Sequence, residues 1–280
     1  MLVKVLKYDM RAVWRIWWIM TLGVLGVSLV GAVGLRTVIT LIEADKFALL
    51  VFLGILLVVG SVLAIVASAI MTEILIYVRF YKNFFTDEGY LTFTLPVRRG
   101  TLLFSKTLNA LIWTVAEMLV IAVCIFLLLF LGIPSDVGEE LIRGLAMSGS
   151  MIHAQIGFWI VPCVLAIVFF VILSAFFSIN LIQLCITVGS MLAKKAKILA
   201  AVGIYYAINM TFSFGSQILS LIFTLLMGTG MTVIIEQAAP MMQGALVTLV
   251  LLIVCCMMAA LAAVMYFITQ TILERKLNLA

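Results

Sequence analysis

Long, unbroken apolar runs alternate along the chain with short clusters of charge. Six runs are long enough to cross a bilayer as helix, which takes about 20 apolar residues. They cover approximately 16–36, 48–76, 107–132, 157–189, 198–227 and 243–270. The runs are continuous, which predicts helices; barrel strands are shorter and alternate between two environments. The pattern therefore predicts an all-α polytopic membrane protein, a single transmembrane domain over residues 1–280. The first run, Ile16 to Val33, follows a basic stretch as in a signal peptide. It is long and no small-residue cleavage motif follows, which predicts a retained anchor.

Composition strengthens this picture. Of 280 residues, 66% are hydrophobic and 10% charged, and mean hydropathy is +1.35. A soluble domain is roughly half apolar and a quarter charged. With so few polar groups to cover a wet surface, the expected solvent is lipid. The net charge of +5 does not point to nucleic acid, because the basic residues stand at the ends of apolar runs instead of forming a patch. Cys124, Cys163, Cys185, Cys255 and Cys256 all lie within apolar runs without paired-loop or metal spacing, so they read as small hydrophobes.

Lysine and arginine favour the cytoplasmic side of a membrane. Fourteen of the seventeen fall before the first run, between the second and third, between the fourth and fifth, or after the sixth. Arg36, Lys46 and Arg143 are the exceptions, accompanied by Glu43, Asp45, Asp136, Glu139, Glu140 and Glu236. Six helices with both termini inside satisfy both the count and the charge pattern.

Residues 1–15, with Leu2, Val5, Leu6, Asp9, Val13 and Trp14 among lysines and arginines, predict an amphipathic helix on the inner membrane surface. Ordinary basic flanking with Trp14, Trp17 and Trp18 as an interfacial belt fits the same residues. The outer segments 133–156 and 228–242 are short and only partly polar. Each fits a short helix dipping back into the membrane.

Polar residues inside the runs are candidates for function. Glu117 stands ten residues past Thr107, roughly 15 Å along a helix and so near mid-membrane. A charge there costs about 2.5–3.5 kcal/mol or more, and the carboxyl must face protein or water. It lines a substrate or proton path, or, as a neutral acid, bonds a neighbouring helix; both readings stay open. Asn209, Ser213, Ser216, Gln217 and Ser220 recur at steps of three and four, which puts them on one helix stripe. That stripe lines a path or bonds another helix. Gly54, Ser61 and Ser68, at seven-residue spacing with Ala64 and Thr72 beside them, predict close helix approach.

Chemical motifs are few. There is no G-x-x-x-x-G-K-[ST] phosphate loop, so no nucleotide site is expected in this chain. His153 is the one histidine and cannot supply a two-histidine metal centre; no metal and no catalytic residue is expected. Glu139, Glu140 and Arg143 resemble the EExxxR motif of intramembrane CAAX-type proteases. The spacing is one residue short and the further histidines are missing, so an exposed helix turn is the better account.

The one sizeable polar segment on the basic side runs from Arg79 to Lys106 and contains FFTDEGYLTFTLPVRRGTLLFSK. Tyr90, Leu91, Phe93 and Leu95 among charges suit an interfacial hairpin or a protein-docking knob. The order acid–Gly, then Leu95-Pro96-Val97-Arg98, then Ser105-Lys106 resembles the ABC-2 type permease family. Glu88, Gly89, Leu95, Pro96, Val97, Arg98 and Lys106 match in kind, while Tyr90 replaces a usual threonine and Ser105 a usual glycine.

The resemblance implies a transmembrane subunit of an ATP-driven exporter in a bacterial plasma membrane, with no enzyme activity of its own. ATP and magnesium would bind a partner ATPase. Segment 79–106 would form the cytoplasmic coupling loop, with Asp87, Glu88, Gly89, Tyr90, Leu91, Phe93 and Leu95 against the ATPase. Pro96 and Val97 would end the coupling helix, and Arg98 with Arg99 would hold it at the lipid surface. The N-terminal helix would also touch the ATPase. A second permease half, identical or not, would complete a path lined by Glu117, Asn209, Ser213, Ser216, Gln217 and Ser220. The substrate would be amphiphilic, a peptide, lipid or drug. The rival expectation is an ATPase-independent secondary transporter or channel with Glu117 as coupling carboxylate; a membrane scaffold that only binds a partner is a third.

Overall fold

A computed structural model describes residues 2–43, 48–86, 89, 98–193, 196–237 and 240–275, with backbone alone at 2–5, 43, 155–156, 219, 223, 225–237, 240–243 and 275. Every described element is helical. In chain order these are α1 (Leu2–Glu43), α2 (Ala48–Phe85), α3 (Arg99–Gly132), α4 (Ser135–Ile156), a 3-10 turn (Gly157–Trp159), α5 (Ile160–Leu192), α6 (Lys197–Gln237) and α7 (Pro240–Arg275). Among the described residues, the six α-helices other than α4 are long and apolar enough to cross a membrane. Apolar side chains such as Phe52, Phe126 and Phe267 are more than 60% exposed on them. Apolar surface on this scale needs lipid as its solvent, and the chain is a multi-pass membrane protein.

The helices outrun the apolar segments that predict them. α1 is 42 residues, about 63 Å at about 1.5 Å per residue, twice the roughly 30 Å of a hydrocarbon core. Residues 2–15 continue into the first span without a break; no glycine or proline stands between Leu2 and Thr21 to turn the chain. The segment 228–237, expected as an outer loop, continues α6. The expected outer segment 133–156 is the 22-residue α4, exposed from Glu139 to Ala154. Gly157, at φ +54°, follows it in the left-handed conformation that ends helices and that glycine adopts without strain.

Two compact units emerge from the packing: 1–83 with 101–147, and 84–100 with 148–280. In the first, α1 and α2 approach backbone to backbone. A Cβ on Gly34 would lie 2.9 Å from the Gly54 carbonyl oxygen, and one on Gly54 would lie 2.9 Å from that of Gly34. Gly31 packs on the side chain of Ser61. The small residues of α2 thus let α1 in close, as their spacing predicts. Beside this seam Val24, Ile65 and Cys124 form a buried cluster with Leu25, Val120 and Ile121.

The second unit packs α5 against α6 and α7. Leu181, Cys185 and Met265 are its buried centre, flanked by Phe177, Leu184, Ile204, Tyr205 and Ile208. Gly189 of α5 meets the backbone of Ala201 on α6, where a Cβ would lie 2.6 Å from the amide nitrogen. The five cysteines are unpaired; Cys124, Cys185 and Cys255 are buried as expected, but Cys256 is exposed.

Candidate functional site

Glu117 is, among the described residues, the most enclosed acid of the first unit, 6% exposed. Its Oε2 accepts from the indole N–H of Trp17 on α1 at 2.8 Å and from the hydroxyl of Thr72 on α2 at 3.0 Å. Its Oε1 is 2.9 Å from the Ser68 hydroxyl, one turn before Thr72. Three helices thus converge on one carboxyl. The Trp17 ring also packs on Trp113, one turn before Glu117, with centroids 4.9 Å apart. Buried polar groups persist only where partners satisfy them, and here α1 and α2 supply those partners.

A second acid belongs to this arrangement. Glu73 follows Thr72, and its Oε1 accepts from the Thr114 hydroxyl of α3 at 3.3 Å. Thr114 lies one turn before Glu117, so α2 and α3 each offer a threonine to the other's carboxyl. Several threonines within the described helices bond the carbonyl four residues back, as do Thr107, Thr187, Thr248 and Thr269. Thr72 and Thr114 turn across to a neighbouring helix instead. Sequence reasoning passed over Glu73; the signal was available as a second acid within the apolar stretch AIMTEILIY.

At the basic end of the same unit, Lys106 of α3 donates to both oxygens of Asp9 on α1, at 2.5 and 2.6 Å. Side-chain exposure is 9% for Lys106 and 16% for Asp9. Arg79 of α2 donates to the Asp9 carbonyl at 3.1 Å. The same three helices are therefore tied at two levels. Asp9 stands alone as an acid among four bases in residues 1–15, and that isolation marks it in the sequence.

The far end of the polar loop is tied into the second unit. Arg99 donates to the carbonyls of Leu273 at 2.7 Å and Glu274 at 3.2 Å. These are among the last carbonyls of α7, which lack partners within the helix and carry its negative end. Arg99, expected at the lipid surface with Arg98, caps α7; Arg98 is exposed. Tyr266 donates to the Gly100 carbonyl at 3.3 Å. Gly100 lies against Gln270, whose Nε2 would be 2.8 Å from a Cβ there. Gln270 in turn donates to Glu274 at 2.9 Å.

Of the residues expected to meet an ATPase, Asp87, Glu88, Tyr90, Leu91, Phe93, Leu95, Pro96 and Val97 lie outside the described residues, as does the coupling helix they would form. Gly89 is buried, and its amide donates to the Thr86 carbonyl at 2.7 Å. The expected path residues fall in different units: Glu117 in the first, the α6 residues in the second. On α6, Ser213, Ser216, Gln217 and Ser220 are exposed and Asn209 is half-buried. Asn209 and Ser216 donate back to the carbonyls of Tyr205 and Ser213. Glu139 and Arg143 are an exposed pair one turn apart on α4, 3.6 Å between charges, as expected of a helix turn.

Comparison of the chain with protein-family models, curated proteins and solved structures finds no match in any of the three.

Proposed function

We propose that this chain is the permease subunit of an ATP-binding cassette exporter, driven by a separate ATPase at segment 79–106, whose two ends belong to α2 and α3. The observation that carries the reading is the clamp of Arg99 and Gly100 on the last turns of α7. An ATPase biases a membrane bundle only through contacts that differ between its nucleotide states. A loop that receives such a bias must be attached firmly to helices that move. This one continues directly into α2 and α3, and its end is hydrogen-bonded to α7. The resemblance of Glu88 to Lys106 to the ABC-2 permease pattern points the same way.

In this reading both termini face the cytoplasm of a bacterium. Asp87, Glu88, Tyr90, Leu91, Phe93 and Leu95 meet the ATPase. Two six-helix halves pair, and the exposed polar stripe Ser213, Ser216, Gln217 and Ser220 faces their shared path for an amphiphilic cargo. Purification from the native host in mild detergent tests it. A P-loop ATPase should accompany the chain, and Glu88→Lys with Leu91→Asp should remove it while the permease keeps its elution profile. Retention of the ATPase by the double variant, or no ATPase with the wild type, overturns the reading.

The carboxyls of Glu73 and Glu117 favour a second reading, an ATPase-independent secondary transporter. That protein would move cargo in vesicles under a pH gradient alone and would stop with Glu117→Gln.

A further inference from the structure

A groove of about 580 Å³ runs along α1 and is closed on one side by Leu131 of α3. Its size is that of small-ligand clefts, roughly 300–1,000 Å³. Leu29, Ala32 and Val33 form its apolar floor, and Arg36, Thr37 and Thr40 form its polar end. The groove belongs wholly to the first unit.

Its depth in a bilayer follows from the tryptophans. Trp14, Trp17 and Trp18 cluster on α1 with Trp14 and Trp18 stacked at 5.5 Å, and such clusters sit at the membrane interface; Glu117, bonded to Trp17, then shares that level instead of the mid-membrane depth expected from its place in the apolar run. Arg36 lies nineteen residues after Trp17, roughly 28 Å along the helix. The hydrocarbon is about 30 Å thick, so Arg36 stands at the opposite headgroup level while Leu29 and Val33 lie among acyl chains.

The polar end has a definite chemistry. Arg36 is exposed and makes no ion pair among the described residues. A guanidinium binds a phosphodiester through paired N–H donors. Thr37 and Thr40 donate their hydroxyl hydrogens to the carbonyls of Val33 and Arg36, at 2.8 and 2.9 Å. Their oxygens keep lone pairs for a donor brought by a ligand. A cation, two hydroxyl acceptors and an apolar floor in this order match an anionic phospholipid whose headgroup carries hydroxyls.

The geometry points to a bound phosphatidylglycerol-type membrane lipid, with its phosphate on Arg36, its headgroup hydroxyls on Thr37 and Thr40, and one acyl chain along Leu29, Val33 and Leu131. This site needs no ATPase and stands whether or not the transport reading does.

Photoreactive lipids test it. The full chain is reconstituted with phosphatidylglycerol or phosphatidylcholine carrying a diazirine in the acyl chain, irradiated, and mapped by peptide mass spectrometry. Phosphatidylglycerol should label residues 29–41 and the neighbourhood of Leu131 about fivefold more than phosphatidylcholine. Arg36→Gln should abolish the preference there and leave labelling near the basic ends unchanged, and Arg36→Lys should keep most of it. Leu131→Trp, which fills the groove with Arg36 in place, should lower labelling by both lipids. Equal labelling of the wild type by the two lipids, a preference that survives Arg36→Gln, or no labelling because protein covers the groove would overturn the site.

Discussion

Lys106 of α3 grips both carboxylate oxygens of Asp9 on α1, across 97 residues of chain. Both side chains are nearly out of reach of solvent. Removing one partner of such a pair strands the other charge, at about 3–5 kcal/mol. Lys106→Met alone should therefore lower the thermal unfolding midpoint strongly. Asp9→Leu combined with Lys106→Met should recover most of the loss, because the desolvated charges leave together. A double variant as unstable as the single one would contradict the pairing.

The donors around Glu117 make a graded prediction. Trp17→Phe and Thr72→Val each remove one buried hydrogen bond to the carboxyl and should each cost about 1–2 kcal/mol. Thr21, one turn after Trp17, has a buried hydroxyl with no partner among the described residues. Thr21→Val should be neutral or stabilising, since it removes an unsatisfied group without changing shape much. Unfolding midpoints of the three variants in one detergent check the order.

Glycine seams separate packing from propensity. Gly189→Ala drives a methyl group into the α6 backbone at Ala201 and should cost about 1–3 kcal/mol. Gly203, on the same helix as Ala201, has open space at its Cβ position. Gly203→Ala should be neutral or gain up to about 1 kcal/mol from helix propensity. Equal effects would show that α5 and α6 do not meet at Gly189.

Arg99→Ala removes the cap on the last carbonyls of α7. The cost is local, about 0.3–1 kcal/mol for a cation at a helix C-terminus. Amide hydrogen exchange in 266–275 should speed up, with Arg99→Lys intermediate because one ammonium replaces a two-pronged fork. Unchanged exchange in Arg99→Ala would show that the cap holds nothing.

The spans are legible because each is a continuous apolar run, and the structure places a helix on all six. Their ends are not, because lipid-facing composition stops at the membrane surface while helix geometry continues into charged flanks. α3 begins at Arg99, eight residues before its apolar run. Glu117 is visible as a lone acid in an apolar helix; its partners are not, since Trp17, Ser68 and Thr72 reach it only through tertiary packing. Glu73 was masked by its neighbour Thr72, which suited a small-residue face. The capping role of Arg99 is hidden for a similar reason. A basic residue beside lipid reads as a headgroup anchor, and only the fold brings it to the carbonyl of Leu273, 174 residues later.

The most direct measurement of the proposed coupling is ATP hydrolysis after the chain is reconstituted with a P-loop ATPase captured with it from the host. The wild-type chain should change that ATPase's hydrolysis rate from its value alone, while Glu88→Lys with Leu91→Asp should leave that rate where it was. Hydrolysis that responds equally to the wild type and to the loop variant would contradict the claim that work enters this protein through the loop between α2 and α3.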